Sequence, residues 1–345
     1  MNTKASMLYP ALVMAASLPP LAGQAHHAYA EYDQEQTVEI EGTLVKAAFQ
    51  NPHLSLKVQV AGTTPSTWEI EGSGINALQR MNAPLEKFKL GDKVKAAGWP
   101  SKRDPHRMFL TNLLSGDGVE VVTWRYATAR WAKTAAGYAS DRSRFDGGTP
   151  TANTSIFRIW TVQVGVAGAA FDQSVAGLGT TTRASLTEKG KAAAAAMRPA
   201  PASDCTPRGM PGIMFTPTPI ELIDKGDAIH LRVELYDTLR VIHMRGGASQ
   251  SAELLGYSVG RWEDKTLVVE TTKVSWPVLT DGVPQSPAAR LVERFTPSAD
   301  GSRLDYALTA TDPEMLAAPV ELKNVWVWRP SEQLLPYNCV SNYQK

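Results

Sequence analysis

Cysteine is nearly missing from this sequence: Cys205 and Cys339 are the only two in 345 residues. That excludes a four-cysteine zinc centre and a Cys-x-x-Cys redox pair within the chain. Long apolar runs are missing too. The longest, Met7 to Leu18, falls well short of the ~20 residues that span a bilayer. Neither sign of charge dominates, with 35 Lys and Arg against 34 Asp and Glu. No basic run is interleaved with aromatic residues, so nucleic acid is not an expected partner and anionic membranes should not attract the chain. The phosphate-binding Gly loop, His-Glu-x-x-His and the dinucleotide fingerprint do not occur. "GYSVG" places Ser258 between Gly256 and Gly260 at the spacing of a nucleophile elbow. An elbow needs a strand–turn–helix context, and the residues after Ser258 alternate like strands, so Ser258 reads as a strand or turn residue.

What the sequence does have begins with an export signal. Lys4 gives residues 1–25 a positive start, Met7 to Leu18 an apolar centre, and Gly23 to Ala25 small residues at the cleavage positions. Cleavage after Ala25 predicts a periplasmic or secreted, soluble protein with no membrane span. In an oxidising compartment two cysteines read as a disulfide before they read as metal ligands or a nucleophile. Joining Cys205 to Cys339 would close a loop of well over 100 residues, which the chain-entropy argument values at roughly 4–5 kcal/mol.

The rest is patterned as strand. "TVEIEGTLVKAAF", "HLSLKVQVAG", "STWEIEG" and "DKVKAAGWP" alternate in polarity between Gly, Pro and Asn breaks, with a short helix at "GSGINALQRMNAP". Residues 26–120 therefore predict a small β-barrel of oligonucleotide/oligosaccharide-binding (OB) type, or a related sandwich. Residues 121–155 read as a connector that starts helix-like at "TWRYATARWAK". Residues 156–345 predict a larger antiparallel β-barrel-like domain, interrupted by an Ala-rich helix whose Ser185 and Glu188 have capping-box spacing. "WEDKT" and "SADGS" are its hairpin turns. The fold class is mainly β.

Two groups of residues carry candidate chemistry. If cleavage exposes His26, its α-amine and imidazole chelate a metal, and His53 in "FQNPHLS" or the adjacent His27 supplies a third nitrogen. That donor set suits copper, and its affinity falls in acid because the nitrogens must be deprotonated. The plainer alternative is that His26 and His27 form a solvated terminus and His53 ends a turn. In the C-terminal half, charges sit on or beside strands, Glu234, Arg240, His243 and Glu293 among them. They form a solvated face, or line a lumen that orients a small apolar ligand, or tune one another for acid–base work.

"AHHAYAEYD", "VEIEGTLVKAAFQNPHLSLKVQV", "TWEIEGSGINALQRMN" and "FKLGDKVKAAGWPSKRD" resemble a family of exported bacterial proteins of unknown function. The likeness covers about residues 25–118, with Ala28 where that family usually has Ser. "CTPRGMPGIM", "VELYDTLRVIHM" and "GYSVGRWEDKTLVVETT" resemble segments of other uncharacterised exported bacterial proteins. These resemblances imply an extracytoplasmic two-domain protein and no particular activity. The sequence reading is a binding protein, with copper at the processed N-terminus and a small apolar ligand in the C-terminal domain. Its rivals are a copper-dependent metalloenzyme and a structural module of the cell envelope.

Overall fold

The computed structural model describes residues 31–138, 147–162, 185–197, 205–247, 251–280 and 282–340. In the N-terminal half, five strands form a small barrel: β1 (Val38–Ala48), β2 (Leu54–Val60), β3 (Ser66–Gly72), β4 (Lys93–Pro100) and β5 (Arg107–Ser115). Helix α1 (Ile75–Arg80) lies between β3 and β4. The order is β3-β2-β1-β4-β5, and a parallel pairing of β3 with β5 closes the ring. Alternation sends Leu44, Leu56, Val58, Ile70, Val94, Met108 and Leu110 inward as one core. Closure leaves these five strands without an open edge to template aggregation.

Residues 121–155 depart from the expected helical connector. Among the described residues of that segment none is α-helical. β6 (Glu120–Val122) pairs with β5, and β7 (Ala135–Gly137) pairs in parallel with β6. The cause is Glu120, which is buried and whose carboxylate accepts the backbone N–H groups of Arg130, Trp131 and Ala132 at 2.8, 2.9 and 2.8 Å. These bonds fold the chain back onto the barrel. Burial alone would raise the pKa of Glu120, but the three amides and Asn112 hold it below the usual carboxylate value.

The C-terminal half is a closed nine-stranded barrel. Its strands are β8 (Ile159–Val162), β9 (Ile220–Asp224), β10 (Ala228–Val233), β11 (Thr238–His243), β12 (Tyr257–Glu263), β13 (Thr266–Thr272), β16 (Arg290–Pro297), β17 (Arg303–Thr311) and β18 (Val320–Val327). A two-stranded ribbon, β14 (Val278–Thr280) and β15 (Val283–Pro284), lies between β13 and β16 in the chain. The barrel order is β10-β11-β12-β13-β16-β17-β18-β8-β9. Its pairs are antiparallel except β11 with β12, which run parallel and meet only at Ile242–Ser258 and His243–Val259. Trp160, Phe295, Tyr306, Trp326 and many aliphatic side chains pack its interior. The turns fall where the sequence puts them: Asp264 takes a positive φ between β12 and β13, and Gly301 does so between β16 and β17.

Helix α2 (Glu188–Ala196) covers the alanine run, but its cap is Thr187, not Ser185. Thr187 is extended and immediately precedes the first helical residue, so its hydroxyl accepts the Gly190 amide at 3.0 Å; Ser185 is two residues too early. Gly190 is required here, because a Cβ would come within 2.2 Å of the Met315 carbonyl oxygen.

The last described segment straps the halves together. Asn51 donates to the Tyr337 carbonyl at 2.6 Å and accepts from Val340 N–H at 2.9 Å, while Asn76 of α1 donates to the Pro336 carbonyl at 3.2 Å. Glu234, at the end of the large barrel, accepts from Leu335 N–H at 2.9 Å and pairs with Arg80 of α1, which also binds Glu332 at 2.7 Å. The Cys205–Cys339 disulfide, with Cα atoms 5.8 Å apart, ties the strap to the segment preceding β9 across a separation of 134 residues. Replacing both cysteines by serine should lower unfolding stability by roughly 4–5 kcal/mol on the chain-entropy argument. Urea denaturation of the variant against the oxidised parent measures it.

Candidate functional site

The four C-terminal residues picked out by charge do not share one site. Glu234 is engaged at the strap. His243 closes β11 and stacks on Tyr257, ring centres 5.1 Å apart. Arg240 and Glu293 do meet, and they meet fully buried inside the large barrel. Arg240 Nη1 donates to Glu293 Oε1 at 2.8 Å, and Nη2 donates to Oε2. Arg240 Nε donates to Ser258 Oγ at 3.1 Å and Nη2 to Thr271 Oγ1 at 2.7 Å, while Tyr306 Oη donates to Glu293 Oε1 at 2.8 Å. Burial alone would lower the pKa of Arg240, but Glu293 raises it, so the guanidinium stays charged. Burial, reinforced by Glu293, drives the Tyr306 phenol well above its ordinary range, so it remains a donor.

This inward arginine inverts the polarity of β11. Thr238, Arg240 and Ile242 face in, while Leu239 and Val241 are 48% and 36% exposed. Ser258 is likewise a buried strand residue holding Arg240, in a hydrogen-bonded β context unlike that of an elbow nucleophile.

The other candidate lies on the small barrel. His26 and His27 fall outside the described residues. His53 stands just before β2, on the side of the barrel where the described chain begins. Its Nδ1 faces the Gly72 carbonyl oxygen at 3.2 Å and Glu71 Oε1 at 3.5 Å. Both are acceptors, so Nδ1 carries the proton, and the ring nitrogen that would meet a metal is Nε2. Histidines that ligate metals are oriented in this way by a carbonyl or a carboxylate behind the ring.

Glu71 also accepts from Tyr32 Oη and from Arg107 Nη2, both at 3.2 Å. Arg107 Nε lies 3.9 Å from Glu31 Oε1, which takes a hydrogen bond from Ser101 Oγ at 3.3 Å. Glu31 Oε2 is buried with no hydrogen-bond partner among the described residues. Two nearly buried carboxylates, Glu31 and Glu71, thus converge on the guanidinium of Arg107. Burial first, then the Glu71 charge, pushes the Tyr32 phenol far above its ordinary pKa.

Alternation in "TWEIEG" puts Glu71 on the face opposite Ile70, but Tyr32, Arg107 and Glu31 reach it only through tertiary pairing. Among the described residues no group of three or more His, Cys, Asp or Glu could hold a metal ion.

Residues 13–108 match a family of unknown function (DUF6152). That span takes in the stretch before β1 and most of the small barrel, His53 and Glu71 included. No curated protein matches the chain.

The Arg240–Glu293 pair makes a sharp prediction. Glu293→Gln leaves the buried guanidinium without its counter-charge and should cost about 3–5 kcal/mol. The double variant Arg240→Met with Glu293→Leu should cost less than the two single changes added together, because neither leaves the other's charge stranded. Urea melts of the parent, Arg240→Met, Glu293→Leu and the double variant read the coupling directly.

Proposed function

We propose that the chain is an exported copper-binding protein. After removal of residues 1–25, the α-amine and imidazole of His26 hold the ion together with Nε2 of His53, with His27 as the alternative third donor. The observation that carries this reading is the restraint of His53: Nδ1 is engaged by Gly72 and Glu71, so the imidazole meets a ligand in one tautomer and one orientation.

Reach favours it. His26 is five residues before Glu31, a span of up to about 17 Å when extended, and Glu31 belongs to the same cluster as Glu71. Electrostatics favour it as well. Glu31, whose Oε2 has no hydrogen-bond partner among the described residues, and Glu71 both lie around Arg107 and favour a cation at this end of the barrel. The large barrel contributes no comparable site from the residues first suspected, since Arg240 and Glu293 satisfy each other and Glu234 is engaged in the strap.

Copper titration of two preparations tests this, after intact mass has fixed the first residue of each. Protein starting at His26 should bind one equivalent, and protein carrying one extra residue before His26 should bind far more weakly. Equal, weak binding by both would sink the proposal. Glu71→Gln should weaken binding roughly tenfold through loss of the carboxylate behind the His53 ring, and His53→Ala should weaken it further.

A further inference from the structure

The strap keeps its place with little apolar contact. Between residues 331 and 340, Tyr337 is the one hydrophobic side chain that is buried, its ring edge-on to Tyr236 at 5.2 Å. Leu334 and Leu335 are half-buried and belong to neither barrel core. The seat is built instead from side chains that read the strap's main chain. Arg80 Nη2 donates to the Gln333 carbonyl at 3.3 Å and Asn76 Nδ2 to that of Pro336 at 3.2 Å, while Asp237 takes the Tyr337 N–H at 3.0 Å. Asn51 and Glu234 complete the capture of peptide groups between Gln333 and Val340. Water can replace each of these bonds, and each is worth about what it costs to order a single residue.

Covalent tethering therefore decides whether the strap stays. Along the described chain the strap follows β18 at one end, and the Cys205–Cys339 bond fixes it near the other. That second tether raises the effective concentration of the strap at its seat. Both cysteines are only half-buried.

Backbone strain gathers at the same joint. Seven non-glycine residues among those described take a positive φ, and four of them lie here: Cys205 at 60°, Tyr236 at 58°, Asp237 at 49° and Asn338 at 44°. Left-handed backbone is costly for side chains other than glycine, less so for Asn and Asp than for Cys and Tyr. Strain of this kind persists where surrounding structure enforces it, and switch regions are one such place. Tyr236 and Asp237 receive Tyr337, and Asn338 separates Tyr337 from Cys339. Opening the disulfide lets Cys205 and Asn338 relax without disturbing either barrel core.

We infer that Cys205–Cys339 is a redox latch: a protein dithiol reduces it, the strap from residue 331 to 340 leaves its seat, and both barrels stay closed. A thiolate of the dithiol attacks one sulfur of the bond, forming a mixed disulfide and releasing the other sulfur as a thiol. The second thiol of the reductant then resolves the mixed disulfide. Cys205 and Cys339 end as thiols and the reductant as a disulfide, so two electrons and two protons have moved. Release bares Asn51, Asn76, Arg80 and Asp237, all polar, so water takes up what the strap gives back.

The test uses the full chain under native conditions. A thioredoxin-type protein dithiol is added, free thiols are alkylated and counted by intact mass, and hydrogen exchange is followed peptide by peptide. Two alkylated thiols should appear without denaturant. Exchange in peptides covering residues 331–340 should then quicken by on the order of a hundredfold, while β1 to β5 and the strands of the large barrel keep their protection. Reoxidation should restore the protection of the strap. The double variant Cys205→Ser with Cys339→Ser should show the fast strap exchange with no reductant present, which separates the latch from any other effect of the dithiol.

Thiols that appear only after denaturation, or a strap that stays protected once the bond is open, would overturn the latch. So would faster exchange spread through both barrels, since the bond would then be a stabiliser of the whole fold.

Discussion

Arg240 holds the large barrel together across a seam where backbone pairing is thin. β11 and β12 share a register of only two residues, and the guanidinium crosses that seam to Ser258. It continues to Thr271 on β13 and Glu293 on β16, and Glu293 takes the Tyr306 hydroxyl from β17. One polar network inside an apolar cavity therefore ties five strands that are neighbours around the ring. Taking these groups out of water is costly, and the cost is met because the carboxylate and guanidinium are paired bidentately and the hydroxyls answer the remaining lone pairs and protons. The aromatic rings of Phe295 and Trp326 pack around a network that has already been satisfied.

The strap does for the two barrels what Arg240 does for one. Its peptide groups are taken up by Asn51 and Asn76 on one side and by Glu234 and Asp237 on the other. The disulfide then holds the strap in register with the segment before β9. The small barrel is consequently held against the large one through α1 and the Asn51 turn. His53 lies two residues beyond Asn51 in the chain, so the docking also steadies the approach to the candidate metal site.

Much of this was legible from residue order, and the failures have physical causes. Strand alternation, the "WEDKT" and "SADGS" turns and the short helix at Ile75–Arg80 are local, so local chemistry announces them. The connector was misread because the capture of three amides by Glu120 is a tertiary event that overrides helical propensity in "TWRYATARWAK". Glu293 carried a faint signal, since it alternates with Leu291 and Phe295 on an apolar face. Arg240 carried the opposite signal, because its apolar neighbours are the ones that face out. Nothing short of the pairing with Glu293, 53 residues away, reveals which side of β11 is inside. Restraint of the His53 ring was invisible for the same reason: Glu71 and Gly72 come to it from the neighbouring strand.

The exposed Leu239 and Val241 have a consequence for how the chain finds a single structure. Sliding β11 by one residue would bury both of them and expel Arg240 into water, a change that hydrophobicity by itself rewards. What opposes the slip is Glu293, which would be left charged and alone inside the barrel. The native alignment of this strand is thus chosen by an ion pair against the preference of its own greasy side chains. Neutralising Glu293 would weaken the barrel and also remove the arbiter between two competing alignments of one strand.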